Sequence, residues 1–236
     1  LAAGAGRIFQ ITRAFRAGER GERHNPEFTI LELYRPHAGV DAIMRDTEQL
    51  VARLTGGRAV IDGRAIDLRP PLRRLPVVDA FVQYARVSAD EVHAMAIGDE
   101  DRFFRLLVDE VEPRVAELDH GVFLTDYPLP FASLARKNPS DPRVAERFEL
   151  YVAGVELCNG FGELDDAVEQ RRRFEEDQRV RRERGLPVYP IDERFVEAVS
   201  RMPPSGGNAI GFDRLCAIAC GVTEIAGVMA FTLDEL

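Results

Sequence analysis

Apolar and polar residues recur along this chain with two periods. Over Ile8 to Arg16, and again over Glu27 to Tyr34, the spacing is that of strands, and the polar, Gly-bearing residues between them predict a long antiparallel hairpin. From Val40 to Leu54 the apolar positions Val40, Ile43, Met44, Leu50, Val51 and Leu54 follow a helical period, with Asp41 in the first turn and Gly56-Gly57 behind the last. Residues 58–74 are basic, carry prolines and show no clear period, so they read as loop with a short strand at Ala59 to Ile61. Three short helices follow: Val78 to Tyr84, one capped by Ser88 with Glu91 at N3, and Asp99 to Leu118. Residues 58–120 thus form a mainly helical insertion that either covers a site or serves as plain scaffold. Gly121 to Tyr127 reads as a buried strand, and the Pro-bearing run after it as surface loop.

The second half repeats the alternation. Glu146 to Glu163 forms another hairpin around Ala153-Gly154, which pairs Val152 with Val155 and Glu149 with Cys158. Asp165 to Arg184 is a charged helix with acids early and arginines late, the order the helix dipole favours. Asp192 to Ser200 is a further helix, stopped by Met202-Pro203-Pro204. A Gly-rich strand from Gly206 to Phe212 feeds a helix from Asp213 to about Cys220, and Val228 to Thr232 reads as a last short strand. No repeat and no second domain boundary interrupts residues 1–236.

Composition narrows the class. A chain of 236 residues with 45% hydrophobic and 30% charged residues suits one large globular domain, and no apolar run is long enough to span a membrane. Three cysteines, with no C-x-x-C pair, fit a cytoplasmic protein and argue against a disulfide framework or a Cys-based zinc site. Cys216 and Cys220, one helical turn apart on an apolar segment, read as packing residues. A net charge of −9 weakly disfavours a broad nucleic-acid surface.

The candidate chemistry sits on the two hairpins. Phe28, Ile30, Glu32 and Tyr34 share a strand face, a poor core but a good lining for a polar pocket. Arg16 and His24, at the ends of the loop, are cationic donors suited to phosphate. Glu156 is the diagonal neighbour of Glu149, about 7–8 Å away by strand geometry, so the two carboxylates either share a divalent cation or lie on a solvated face. Asn159, Phe161 and Glu163 follow beyond a Gly-bearing bend that can re-aim them.

FRAGERGERHNPEFTILELYRP resembles motif 2 of the class II aminoacyl-tRNA synthetases in its lysine-specific form. FELYVAGVELCNGFGEL is similar to that family's second signature, and SGGNAIGFDRLCAIACG to its motif 3. The resemblance implies an α+β class II catalytic core, a mainly antiparallel β-sheet flanked by helices. It also implies roles. Arg16 would bind the α-phosphate and the amino-acid carboxylate, His24 would approach the outer phosphates, and Phe28 and Arg214 would sandwich adenine, with Gly211 allowing ATP close to the backbone. Glu149 and Glu156 would hold Mg²⁺, while Glu149 also counts among the ATP-binding residues. Glu32, Tyr34 and Glu163 would recognise the distal amino group of a lysine-like substrate and Asn159 its carboxylate, with Cys158 and Phe161 in the same pocket. Arg16 and Arg214 are the residues assigned to catalysis.

Within the superfamily, ELYRP, RRERGLPVYPID and VMAFTLDEL look like the paralogue that attaches (R)-β-lysine to a lysine of elongation factor P without an anticodon-binding domain. Alternatives are a lysyl-tRNA synthetase catalytic domain charging tRNA and a non-catalytic ligand sensor. Three departures stand out. Gly18 replaces the motif 2 glutamate, with Glu19 adjacent; Cys158 precedes the pocket asparagine where synthetases have Gly; and the chain begins after the expected place of motif 1, which builds the family's homodimer interface. The expectation is therefore a homodimer at full length and impaired catalysis by this piece alone.

Overall fold

The computed structural model describes residues 1–19, 21 and 23–232. Its centre is a seven-stranded sheet in the order β1-β2-β9-β8-β7-β6-β5. Here β1 is Ile8–Phe15, β2 Glu27–Pro36, β5 Arg73–Pro76, β6 Val122–Pro128, β7 Val144–Val152, β8 Val155–Gly162 and β9 Ser205–Gly211. All neighbours are antiparallel except β5 and β6. The fold is α+β.

The two faces of the sheet are covered differently. On one, Phe123, Phe148, Leu150 and Ile210 pack with Ile43 and Val51 of α1 (Val40–Thr55) and Leu215 of α8 (Phe212–Cys220) in a continuous apolar cluster. α1 ends as its sequence requires, with Gly56 in the left-handed region at φ 68°. On the other face a second cluster covers only the β5–β6–β7 end. Val122, Leu124 and Tyr151 meet Phe81 and Phe103 there. The helical layer is α2 (Val77–Ala80, continued by a π turn), α3 (Ala89–Gly98), α4 (Glu100–Leu106) and α5 (Glu112–Ala116). Ser88 and Glu91 cap α3 reciprocally, as the sequence predicts. The β2–β9–β8 part of that face is left for a site.

Within 58–76 the expected short strand at Ala59 to Ile61 is present, and two further strands, Arg64–Asp67 and Arg73–Pro76, stand where the sequence reading has loop. β3 (Arg58–Ile61) and β4 (Arg64–Asp67) form a separate hairpin, and β5 joins the main sheet. The β3–β4 turn, Asp62-Gly63, has φ of 51° and 74°, a strong hairpin signal hidden among arginines. Ala153-Gly154 turns the β7–β8 hairpin in the same way, as expected, at φ 48° and 77°. Val228 to Thr232 is not a strand; a 3-10 turn, Ile225–Val228, stands there, and residues 233–236 of VMAFTLDEL lie outside the described residues. α6 (Ala167–Glu183) and α7 (Glu193–Val199) complete the fold. No helix among the described residues is long and apolar enough to cross a membrane.

Candidate functional site

The site is a set of rows running across strands. Gln10 pairs with Glu32, Glu32 with Ala209, Ala209 with Asn159, and Asn159 with Glu149. Two residues along, Tyr34 pairs with Gly207, Gly207 with Phe161, and Phe161 with Arg147. Two residues the other way, Ile30 pairs with Gly211. Because alternate residues share a face, all of these point to one side, as the β2 alternation predicts. On β9 that side carries Gly207, Ala209 and Gly211, which leaves the floor low.

A bulge makes the β8 contribution possible. Glu149 stands opposite Asn159, not Cys158, because the register slips between Leu150 and Tyr151 and leaves Leu157 without an opposite number. Leu157 and Cys158 both turn toward the core, and Glu156, Asn159 and Phe161 share the site face. Unbroken alternation would have put Glu156 and Asn159 on opposite faces. Cys158, expected in the substrate pocket, borders the cavity but is 2% exposed; burial pushes its thiol up to about 12, and it packs beneath the sheet.

A cavity of about 180 Å³ lies over the Ile30–Gly211 row and reaches Ala209 and Asn159, lined among others by Arg16, His24, Phe28, Glu156 and Arg214. Arg214, in the first turn of α8, donates to the Glu156 carbonyl at 2.7 Å and to His24 Nε2 at 2.9 Å. Burial, and then the Arg214 charge, hold His24 below its usual pKa, so a neutral imidazole accepts that bond. Asp213 Oδ2 accepts from the Thr29 amide at 2.7 Å and ties the start of β2 to α8. Arg16 lies over the Phe28 ring, 5.3 Å from its centroid, and pairs with Glu19 at 3.5 Å. Glu19 thereby neutralises Arg16 where Gly18 cannot.

The acid residues fall in two groups. The Glu156 side chain faces the cavity, its carboxylate accepts no hydrogen bond from the described residues, and its pKa is raised by burial and by Glu149. Glu149 is 6% exposed and fully engaged: Oε1 accepts from Arg147 at 2.6 Å, and Oε2 from Tyr127 at 2.6 Å and Tyr151 at 2.9 Å. At the other end Glu163 is raised to about 7 by burial and by Glu32, against the Arg136 guanidinium. Tyr34 donates to Glu32 at 3.3 Å, and Gln10 donates to the other Glu32 oxygen at 2.8 Å. A Cβ at Gly207 would collide with Glu163 Oε1 and the Tyr34 ring, so glycine is what lets those two groups meet over β9.

Residues 1–235 match the family of tRNA synthetases class II (D, K and N). The chain belongs to the class II tRNA synthetases. As a class II synthetase domain it has the architecture for amino-acid activation and ligation. The residues singled out in the sequence gather on one face of this synthetase sheet, Cys158 excepted. The sequence reading missed Arg147, Tyr127 and Tyr151 around Glu149, Gln10 beside Glu32, and Arg136 near Glu163. For Arg147 and Tyr151 the signal was present, since both lie at period two from Glu149. Tyr127 lies past a backbone irregularity at Asp126, φ 55°, which hides its face from alternation.

Proposed function

We propose that this chain activates a lysine-type amino acid, (R)-β-lysine, as an adenylate with ATP and transfers it to a lysine of elongation factor P. The observation that carries this reading is Glu163, a partly buried carboxylate with Tyr34 and Glu32 beside it, on the same face as the cavity that holds Phe28 and Arg214. A distal ammonium entering there meets two carboxylates, whereas a neutral side chain leaves them desolvated. Phe28 and Arg214 offer a ring and a planar cation for a purine. The substrate carboxylate attacks the α-phosphorus in line and pyrophosphate leaves; the acceptor amine then attacks the acyl carbon and AMP leaves. No protein nucleophile is required.

Arg16 must swing off the Phe28 ring to reach the phosphates, and its partner Glu19 is exposed enough to release it. Of the two expected ligands, Glu156 presents an open carboxylate whose charge is disfavoured without a counter-ion and fits a divalent cation, whereas Glu149 is already committed to Arg147, Tyr127 and Tyr151. Among the described residues no group of three or more His, Cys, Asp or Glu could hold a metal unaided, which suits Mg²⁺ shared with substrate phosphates. Bound there, the cation would neutralise phosphate charge.

The acceptor assignment rests on the resemblance of ELYRP, RRERGLPVYPID and VMAFTLDEL to the elongation factor P ligase. Family membership also admits tRNA as the acceptor. Incubating the protein with ATP, labelled (R)-β-lysine and either acceptor separates these. Label on elongation factor P is expected; label on tRNA instead overturns the acceptor, and no adenylate with either overturns the reading.

A further inference from the structure

Arg147 has none of the roles the three signature motifs assign, yet it touches both Glu149 and Asn159 in the site. Its side chain is 17% exposed and each of its nitrogens is committed. Nη2 donates to Glu149 Oε1 at 2.6 Å, Nε to Asn159 Oδ1 at 3.3 Å, and Nη1 to the Phe131 carbonyl at 2.6 Å. The guanidinium carbon sits 4.5 Å from the centre of the Tyr127 ring, and the Tyr127 hydroxyl reaches back to Glu149. Ring, turn carbonyl and carboxylate thus fix the plane of the guanidinium from three sides.

The consequence falls on Asn159. With Oδ1 taken by Arg147, the remaining polar atom of its side chain is the Nδ2 amide, a pure donor, and Asn159 lines the cavity. Without that anchor the amide could turn either end inward, and half of its orientations would meet an anionic substrate group with a carbonyl oxygen. We infer that Arg147 is a positioning residue: it orients the Asn159 amide so that a donor faces the substrate carboxylate, and couples that subsite to Glu149. This rests on the amino-acid-activating reading above. Lysine cannot substitute, because a point charge satisfies Glu149 or Asn159 but not both in a fixed plane.

The test is a double-mutant cycle in amino-acid-dependent ATP–pyrophosphate exchange, with wild type, Arg147→Lys, Asn159→Asp and the double variant. Asn159→Asp keeps the shape, strengthens the link to Arg147 and removes the donor, so it also serves should Arg147→Lys fold poorly. Each single change is expected to raise KM for the amino acid about tenfold while KM for ATP stays within about twofold. In the double variant the second change is expected to add nothing to KM, since both act through one amide. Additive effects, an unchanged amino-acid KM in Arg147→Lys, or full activity in Asn159→Asp would overturn the inference. All four are made in the full-length protein, where no exchange by wild type would instead strike the underlying reading.

Discussion

Burial raises the Glu163 carboxyl to about 7, against an ordinary value of 4.5, and this sets two pH dependences of opposite sign. Between those values the folded chain holds a proton that the unfolded chain has lost. The stability contributed by this group is therefore complete below the ordinary value and lost as pH rises to about 7. Thermal melts of wild type and Glu163→Gln should diverge: wild type loses more stability between about pH 5 and 8 than the variant does. Parallel curves would mean Glu163 titrates normally. Substrate affinity should run the other way, because an ammonium needs the ionised form, so wild-type KM falls across the same window. Glu163→Gln should raise KM for the amino acid roughly 10- to 100-fold and flatten its pH profile. Gly207→Ala, which drives a methyl into Glu163 and the Tyr34 ring, should raise the same KM and cost about 1–3 kcal/mol in denaturant melts. Alternation alone located Phe28, Glu32 and Tyr34, since a period of two fixes a face. It placed Arg147 and Tyr151 on the Glu149 face but could not show that Tyr127 would close around the same carboxylate, because that phenol comes from β6, whose register it did not know.

Between elements, the junction of β2 and α8 brings Phe28 and Arg214 toward each other. The Asp213 carboxylate accepting from the Thr29 amide is its clearest tie. Asp213→Ala should cost about 1–2 kcal/mol and raise KM for ATP more than KM for the amino acid, as steady-state kinetics would show. An unchanged KM for ATP would mean that the tie does not position the nucleotide end. The β7–β8 hairpin shows where pattern reading stops. Its turn and its first pair, Val152 with Val155, were legible because two adjacent turn residues accept positive φ. The slip at Leu157 was not, although two consecutive apolar residues, Leu157-Cys158, break the alternation and mark where an extra residue sits. Of the β3–β4 hairpin only the first strand was legible; β4 was not, because charged residues around it masked the buried Ile66.

At the scale of the whole molecule, β1 is an edge strand with Phe9 74% and Ile11 51% exposed. We propose that a second copy of the chain covers it, in keeping with the homodimer the resemblance implies. Sedimentation of the full-length protein should show self-association that Phe9→Ser with Ile11→Ser weakens; a concentration-independent monomer at full length would refute this. The order of hairpins, helices and Gly-rich strand was readable from the sequence, and so was the synthetase likeness. The pairing of β5 with β6 was not, since parallel neighbours separated by a helical layer leave no local signal. The central claim is that a nucleotide end and an ammonium end share one sheet face. ATP–pyrophosphate exchange with (R)-β-lysine, set against a β-amino acid of equal length lacking the distal amine, tests it most directly. The account predicts exchange with the first that exceeds the second by about 100-fold or more. Equal exchange with both, or none with either by the full-length homodimer, would contradict it.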